Sequence, residues 1–146
     1  MKSKTLATWL AVLGGGLGVH RLYMRGPRDP WAWAFWPPTL VGLVGVWRMR
    51  QLGQDDMLSW ALIPLLGLSL SVAMLSAIVI GLTPDERWAA RHGAPGEPPV
   101  ASGWGPVLGV ITALMVGGAV LMGTIAFGGQ KFFEWEQRQA GADAGR

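Results

Sequence analysis

The sequence predicts an all-α, polytopic membrane protein whose four transmembrane helices form two antiparallel hairpins. Three observations carry that expectation. Four apolar stretches, residues 5–24, 31–47, 57–82 and 104–128, reach or approach the roughly 20 residues that a bilayer crossing needs. The segments between them hold nearly all the charge, mean hydropathy is +0.34, and only 14% of residues are charged. With 146 residues, most of them committed to these stretches, no length remains for a separate soluble domain with its own core. Residues 1–56 are expected to make the first hairpin, 57–128 the second, and 129–146 an interfacial C-terminal tail.

The chain opens with Lys2-Ser3-Lys4 and an apolar run, which imitates a secretory signal. No small-x-small site closes the run, and His20 and Arg21 follow it, so an uncleaved first span is expected. A helix over 5–24 would be about 28–30 Å long and would put His20 and Arg21 at headgroup level. Gly14 and Gly18 make a GxxxG step for close helix approach. Helix is expected to persist through the surrounding glycines, because unmet backbone groups in lipid cost more than the roughly 1 kcal/mol per glycine.

Arg25, Arg28, Asp29 and two prolines make 25–30 a tight turn, so span two returns antiparallel to span one. Span two begins with Trp31, Trp33, Phe35 and Trp36 as an aromatic entry, meets Pro37 and Pro38 at a kink or restart, and needs to continue to about Leu52 for sufficient length. Asp55 and Asp56 then suit the start of span three, where carboxylates meet unpaired amides. Pro64 is expected to bend that span slightly.

Small residues recur every four positions in span three, at Ser69, Ala73, Ala77 and Gly81, and in span four, at Gly105, Gly109, Ala113 and Gly117. The two ridges predict close packing of spans three and four, with a lipid-facing or oligomeric use as the alternative. Between these spans, the first half of 83–103 reads as an amphipathic helix with Trp88 in the headgroups, and the proline-rich second half as irregular. After Gly128 and Gly129 an interfacial helix with a Glu134–Arg138 pair is expected, then a frayed end.

Composition excludes several function classes. Cysteine is absent, which removes disulfides, thiolate metal sites and thiol nucleophiles. The isoelectric point is near 10, but the cations sit in twos and threes beside span ends, as topology determination requires, and no nucleic-acid partner is expected. Four spans would put the N-terminus, the 48–56 link and the tail on one side. Its cations are Lys2, Lys4, Arg48, Arg50, Lys131, Arg138 and Arg146, against Arg21, Arg25, Arg28, Arg87 and Arg91 opposite. That balance predicts both termini in the cytoplasm of a cell with a bacterial-type inner membrane.

One local motif stands out: Gly18-Val19-His20-Arg21-Leu22-Tyr23-Met24-Arg25-Gly26, preceded by Lys4 and followed by Gly42, Gly45 and Trp47. It resembles the TM2-domain family, which opens with a lysine and closes its first span with a Gly-x-His-Arg-Phe-Tyr-Leu-Gly type sequence. Leu22 stands where Phe is usual, and Arg25 pushes the closing glycine one place along. Arg48-Met49-Arg50-Gln51 replaces the apolar run and Asp that are common after the second span. The resemblance covers about 4–55 and implies a two-span hairpin without catalytic chemistry, used in interaction or signalling. It also implies that the motif loop faces the cytosol, opposite to the charge count.

His20, Arg21 and Tyr23 are the candidate interfacial motif. As anchors, Tyr23 suits the headgroup zone, Arg21 meets lipid phosphate and His20 bonds backbone or lipid. As a recognition patch, they would take a protein partner or lipid headgroup. Metal or haem ligation by His20 with His92 makes a weak ligand set, and no cofactor or metal is expected. The span centres hold no titratable group, only hydroxyls such as Thr39, Ser69, Ser71, Ser76, Thr112 and Thr124, so no catalytic residue is expected. The leading expectation is a non-catalytic membrane protein working through helix packing and contacts with lipids, another membrane protein or a second copy. The alternative is a small oligomeric transporter or channel with a glycine- and hydroxyl-lined path.

Overall fold

The computed structural model describes residues 2–145; Met1 and Arg146, the last cation of the charge count, lie outside the described residues. Described residues form helices and loops without strand: α1 (Lys4–Gly14), a 3-10 turn (Gly15–Leu17), α2 (Val19–Arg25), α3 (Pro30–Trp33), α4 (Trp36–Leu52), α5 (Met57–Leu82), α6 (Asp85–His92) and α7 (Gly105–Ala144).

Ser3 starts α1, its hydroxyl accepting the Leu6 amide at 3.3 Å. The glycine run then ends it. Gly18 takes the left-handed conformation at φ +68°, and its amide bonds the Gly15 carbonyl. There the chain reverses, and α2 climbs back beside α1 until the Tyr23 hydroxyl accepts the Ser3 amide at 3.0 Å and Lys2 Nζ bonds the Met24 carbonyl. The expected single helix over 5–24 is therefore a helical hairpin, and Gly14 and Gly18 do not share one helix face. A Cβ on Gly14 would meet Val19 of the same hairpin, whereas one on Gly18 would strike the Ala32 carbonyl of α3. The lipid argument for an unbroken helix fails because this break is covered by protein, where Thr39 Oγ1 donates to the Gly16 carbonyl.

Asp29 caps α3 through the Trp31 amide at 3.2 Å, and Pro30 occupies its first turn. The chain restarts as α4 with Pro37 and Pro38 in the first turn, where missing amides cost nothing, and runs to Leu52. At its end Arg48 forks onto both oxygens of Asp56, at 3.0 Å each, while Asp56 caps α5 through the Ser59 amide at 3.1 Å. α5 runs through Pro64 without interruption.

Contacts along α5 fix the topology. Lys4 meets Thr83 and Asp85, Gly15 meets Ala73, Thr39 meets Ser69, Gly42 meets Leu66, and Arg48 meets Asp56. Helices α1 and α4 thus follow one another along α5 in the same direction. They are not the antiparallel first hairpin expected; that role within the N-terminal segment falls to α1 and α2. α7 runs antiparallel to α5, with Val110 at Gly81, Met74 at Gly117 and Thr124 at Gly67.

Two small-residue ridges enclose α1 instead of meeting only each other. Ala7 and Ala11 share a core with Ala77 and Ala113, all 0% exposed. A Cβ on Gly105 or Gly109 would press on Thr5 or Thr8 of α1, and Trp9 Nε1 donates to the Gly105 carbonyl at 3.2 Å. Ser69 and Ala73 face α4 and the glycine turn, while Gly81 faces both α1 and α7. Small residues were needed to seat a third helix.

The tail also differs from expectation. α7 continues unbroken for 40 residues, through Gly128 and Gly129. Arg138 pairs with Asp55 at 3.0 Å instead of Glu134, which takes Lys131 at 2.9 Å, and Lys131 also bonds the Gln54 carbonyl at 3.2 Å. The N-terminus therefore lies at the α5–α6 end of the molecule and the tail at the α4–α5 end. The expectation of both termini on one side is corrected by these contacts.

Two helices, α5 and α7, are long and apolar enough to cross a membrane; α1, at 11 residues, is too short to do so alone. In their most apolar windows only 28% and 11% of residues are buried.

Candidate functional site

At the α5–α6 end the N-terminus is clamped by polar contacts. Lys4 donates to the Thr83 carbonyl at 2.9 Å and to Asp85 at 2.6 Å, and Asp85 accepts from the Ser102 amide and hydroxyl at 3.0 and 2.6 Å. The Lys4 ammonium and the Ser102 donors hold the Asp85 carboxyl down to about 2. Trp88, expected in the headgroups, is instead buried; its Nε1 donates to the Lys2 carbonyl at 2.8 Å and its ring stacks on His92 at 4.3 Å. Burial, then the nearby Lys2 charge, lowers the His92 pKa from its ordinary value.

Behind this clamp α2, α5 and α6 leave a cavity of about 660 Å³. α2 contributes His20, Arg21, Met24 and Arg25, the i, i+1, i+4, i+5 face of one helix turn. From α5 come Val72, Leu75, Ser76, Val79, Ile80 and Thr83, again a single face. α6 closes the end with Trp88, Arg91 and His92.

The expected motif is divided by this geometry. His20 and Arg21 face the cavity, whereas Tyr23 points to the other side of α2, where it bonds Ser3 and packs on the core. Nor is His20 at the end of the molecule. It is 1% exposed and packs edge-on against Phe35, 5.8 Å between ring centres, beside the middle of α5. The headgroup-level placement expected for His20 is thus corrected: the glycine turn carries α2 back from the centre. Neither imidazole nitrogen has a hydrogen-bond partner, and Arg21 Nε is also buried and bare.

Charge around the cavity is unbalanced. Arg21 and Arg25 share Asp29, at 3.5 and 3.9 Å, and Arg91 has no carboxylate within 4.0 Å among the described residues. His20 and His92 line the same cavity from different walls, without a carboxylate cluster beside them among the described residues. Sequence reading missed Arg25 and Arg91 as companions of His20, and paired His92 with it only as a weak ligand set. Their helical spacing was visible, but the reversal at Gly18 that brings α2 opposite α6 was not.

Hydroxyls elsewhere are consumed internally. Ser71, Ser76, Thr112 and Thr124 each donate to the carbonyl four residues back, at 2.7–2.9 Å. Thr39 and Ser69 bond each other at 2.8 Å where α1 gives way to α4.

The segment holding the glycine turn, His20 and Arg21 has a recognisable family signature. Residues 1–52 match the TM2 domain. The match ends with α4, so the TM2 segment comprises α1 to α4, and it is the family that the Gly-x-His-Arg-x-Tyr stretch resembles. No curated protein and no solved structure matches the chain. Beyond the TM2 segment, α5 to α7 supply the surface on which it folds and two of the three walls of the cavity.

Proposed function

We propose that the chain is a multi-pass protein of a bacterial-type inner membrane that acts without catalysis, through helix packing and contacts with lipid and with another membrane protein or a second copy. The observation that carries this reading is the apolar exterior of α5 and α7. Their most apolar windows are only 28% and 11% buried, and side chains such as Leu75, Val79, Met115 and Met122 lie 59–72% exposed. A water-soluble fold would not leave two such faces bare, because each large apolar side chain returned to water costs about 1.5–3 kcal/mol. Lipid covers them at no such cost.

The packing supports three crossings. α1 and α4 share one track, and α5 and α7 make the other two. The N-terminus, the 26–29 turn and α6 then occupy one side with Lys2, Lys4, Arg25, Arg28, Arg87 and Arg91; among the described residues Arg48, Arg50, Lys131 and Arg138 belong to the other, and Arg21 lies beside the middle of α5. Six cations against four favour a cytoplasmic N-terminus and an external C-terminus. With this topology the charge balance and the cytosolic motif loop implied by the TM2 resemblance point the same way.

The transporter alternative has less support. The hydroxyls expected to line a path are bonded within their own helices or to one another, and water would have to break those bonds to pass.

Cysteine labelling tests the topology on a chain that has no cysteine of its own. Ser3→Cys and Ala101→Cys are expected to be protected from an impermeant thiol reagent in intact cells, and Gln54→Cys and Gln139→Cys to react. Reaction of Ser3→Cys together with Gln54→Cys would remove the three-crossing reading.

A further inference from the structure

Two features of the cavity between α2, α5 and α6 select its occupant. The first is charge: Arg21, Arg25 and Arg91 surround it with Asp29 as their one carboxylate partner among the described residues, so the walls favour an anion. The second is its apolar side. Val72, Leu75 and Val79 of α5 are 51–61% exposed, so the floor of the cavity continues onto the surface that lipid would cover.

A free inorganic anion would answer the first feature and leave the apolar wall unused. A hydrocarbon chain alone would do the reverse. We propose that this cavity binds one anionic phospholipid, its phosphate between Arg25 and Arg91 and one acyl chain along Val72, Leu75 and Val79. A volume of about 660 Å³ accommodates the headgroup and the upper part of one chain, with the remainder in the bilayer. Arg25 and Arg91 act here as the lipid's counter-charges.

This assignment rests on the membrane reading above, but the two fail separately: thiol labelling reports topology whether or not a lipid is bound. The test is native mass spectrometry of the full chain, released from mild detergent after titration with phosphatidylglycerol or phosphatidylcholine. Phosphatidylglycerol is expected to give a single saturable adduct, and phosphatidylcholine none at the same concentration.

The double variant Arg25→Gln/Arg91→Gln is expected to weaken the adduct by about tenfold or more, the loss of charge-assisted bonds to phosphate. Leu75→Trp, which fills the apolar wall and leaves every charge in place, is expected to weaken it comparably. Equal retention of both lipids, or unchanged retention by both variants, means annular lipid only and overturns the site. Displacement by glycerol 3-phosphate at concentrations matching the lipid would overturn it too, because the chain would then contribute nothing. Should the double variant fail to fold, Leu75→Trp alone decides.

Discussion

His92 lies where burial and charge act in the same direction. Trp88 stacks on it at 4.3 Å and Lys2, Arg91 and Arg25 surround it, so burial and like charge both disfavour its protonated form. In the unfolded chain the ring takes up a proton near 6.5, while in the folded chain it does so only at lower pH. Its contribution to stability is therefore complete above about 6.5 and is lost as pH falls through the lowered folded value. Thermal unfolding in detergent between pH 7.5 and 5 should show a falling midpoint for the wild type and a shallower fall for His92→Phe, which keeps the stack without the titration. Equal slopes would remove His92 as a contributor. Asp85 titrates in the same sense but at lower pH: held at about 2 by Lys4 and Ser102, its carboxylate contributes above about 3.8 and the contribution disappears only toward pH 2. Asp85→Asn deletes a charge-assisted bond to a lysine that is 9% exposed, at a cost of about 1–2 kcal/mol. At neutral pH the same unfolding measurement should register that loss, and an unchanged midpoint would mean that Lys4 is satisfied by the Thr83 carbonyl alone.

Among the elements, α5 was the most legible and the first span the least. Asp56 as the cap of α5, its end before Thr83 and Pro84, the restart of α4 at Pro37 and Pro38 and the amphipathic α6 all follow from local chemistry that a sequence displays. The break in the first span does not. Whether four glycines in five positions stay helical depends on what lies against them, and only the fold brings Thr39 to the Gly16 carbonyl and Ala32 to Gly18. For the same reason His20 and Arg21 were recognised by residue type but placed at the wrong depth, and Arg91 was not grouped with them. The small-residue ridges and the packing of α5 on α7 were visible, but α1 as the third helix seated between them was not. Their energetics can be separated by position. Gly42→Ala would put a Cβ 2.5 Å from the Leu66 amide nitrogen, so α4 must move away from α5, at about 1–3 kcal/mol. At Gly123 no heavy atom lies within 4 Å, and Gly123→Ala should stay within about 0.5 kcal/mol of the wild type. Matching thermal midpoints for the two variants would mean that α4 does not seat on α5 as described.

At the scale of the whole molecule, the TM2 segment is held by the helices that follow it. α1 lies between α5 and α7, its alanines packed on Ala77 and Ala113, and α4 presses two glycines against the Leu62–Leu66 stretch of α5. Lys4, Arg48 and the glycine turn all find their partners on α5 or its flanks. By contrast, α1 and α4 bring each other little beyond the point where they succeed one another. A segment whose buried faces belong to its neighbours cannot satisfy its broken backbone in lipid by itself, whereas two long helices such as α5 and α7 can insert unaided. Residues 1–52 expressed alone should therefore be degraded or protease-sensitive, residues 53–146 should accumulate, and co-expression should restore a protease-resistant TM2 segment that copurifies with the second fragment. The cut at Gly53 falls after α4 and spares the Arg48 to Asp56 pair, so the two fragments retain every contact between them. A stable, protease-resistant 1–52 fragment on its own would mean that the TM2 segment folds as an autonomous hairpin and that its seat on α5 is a later docking step.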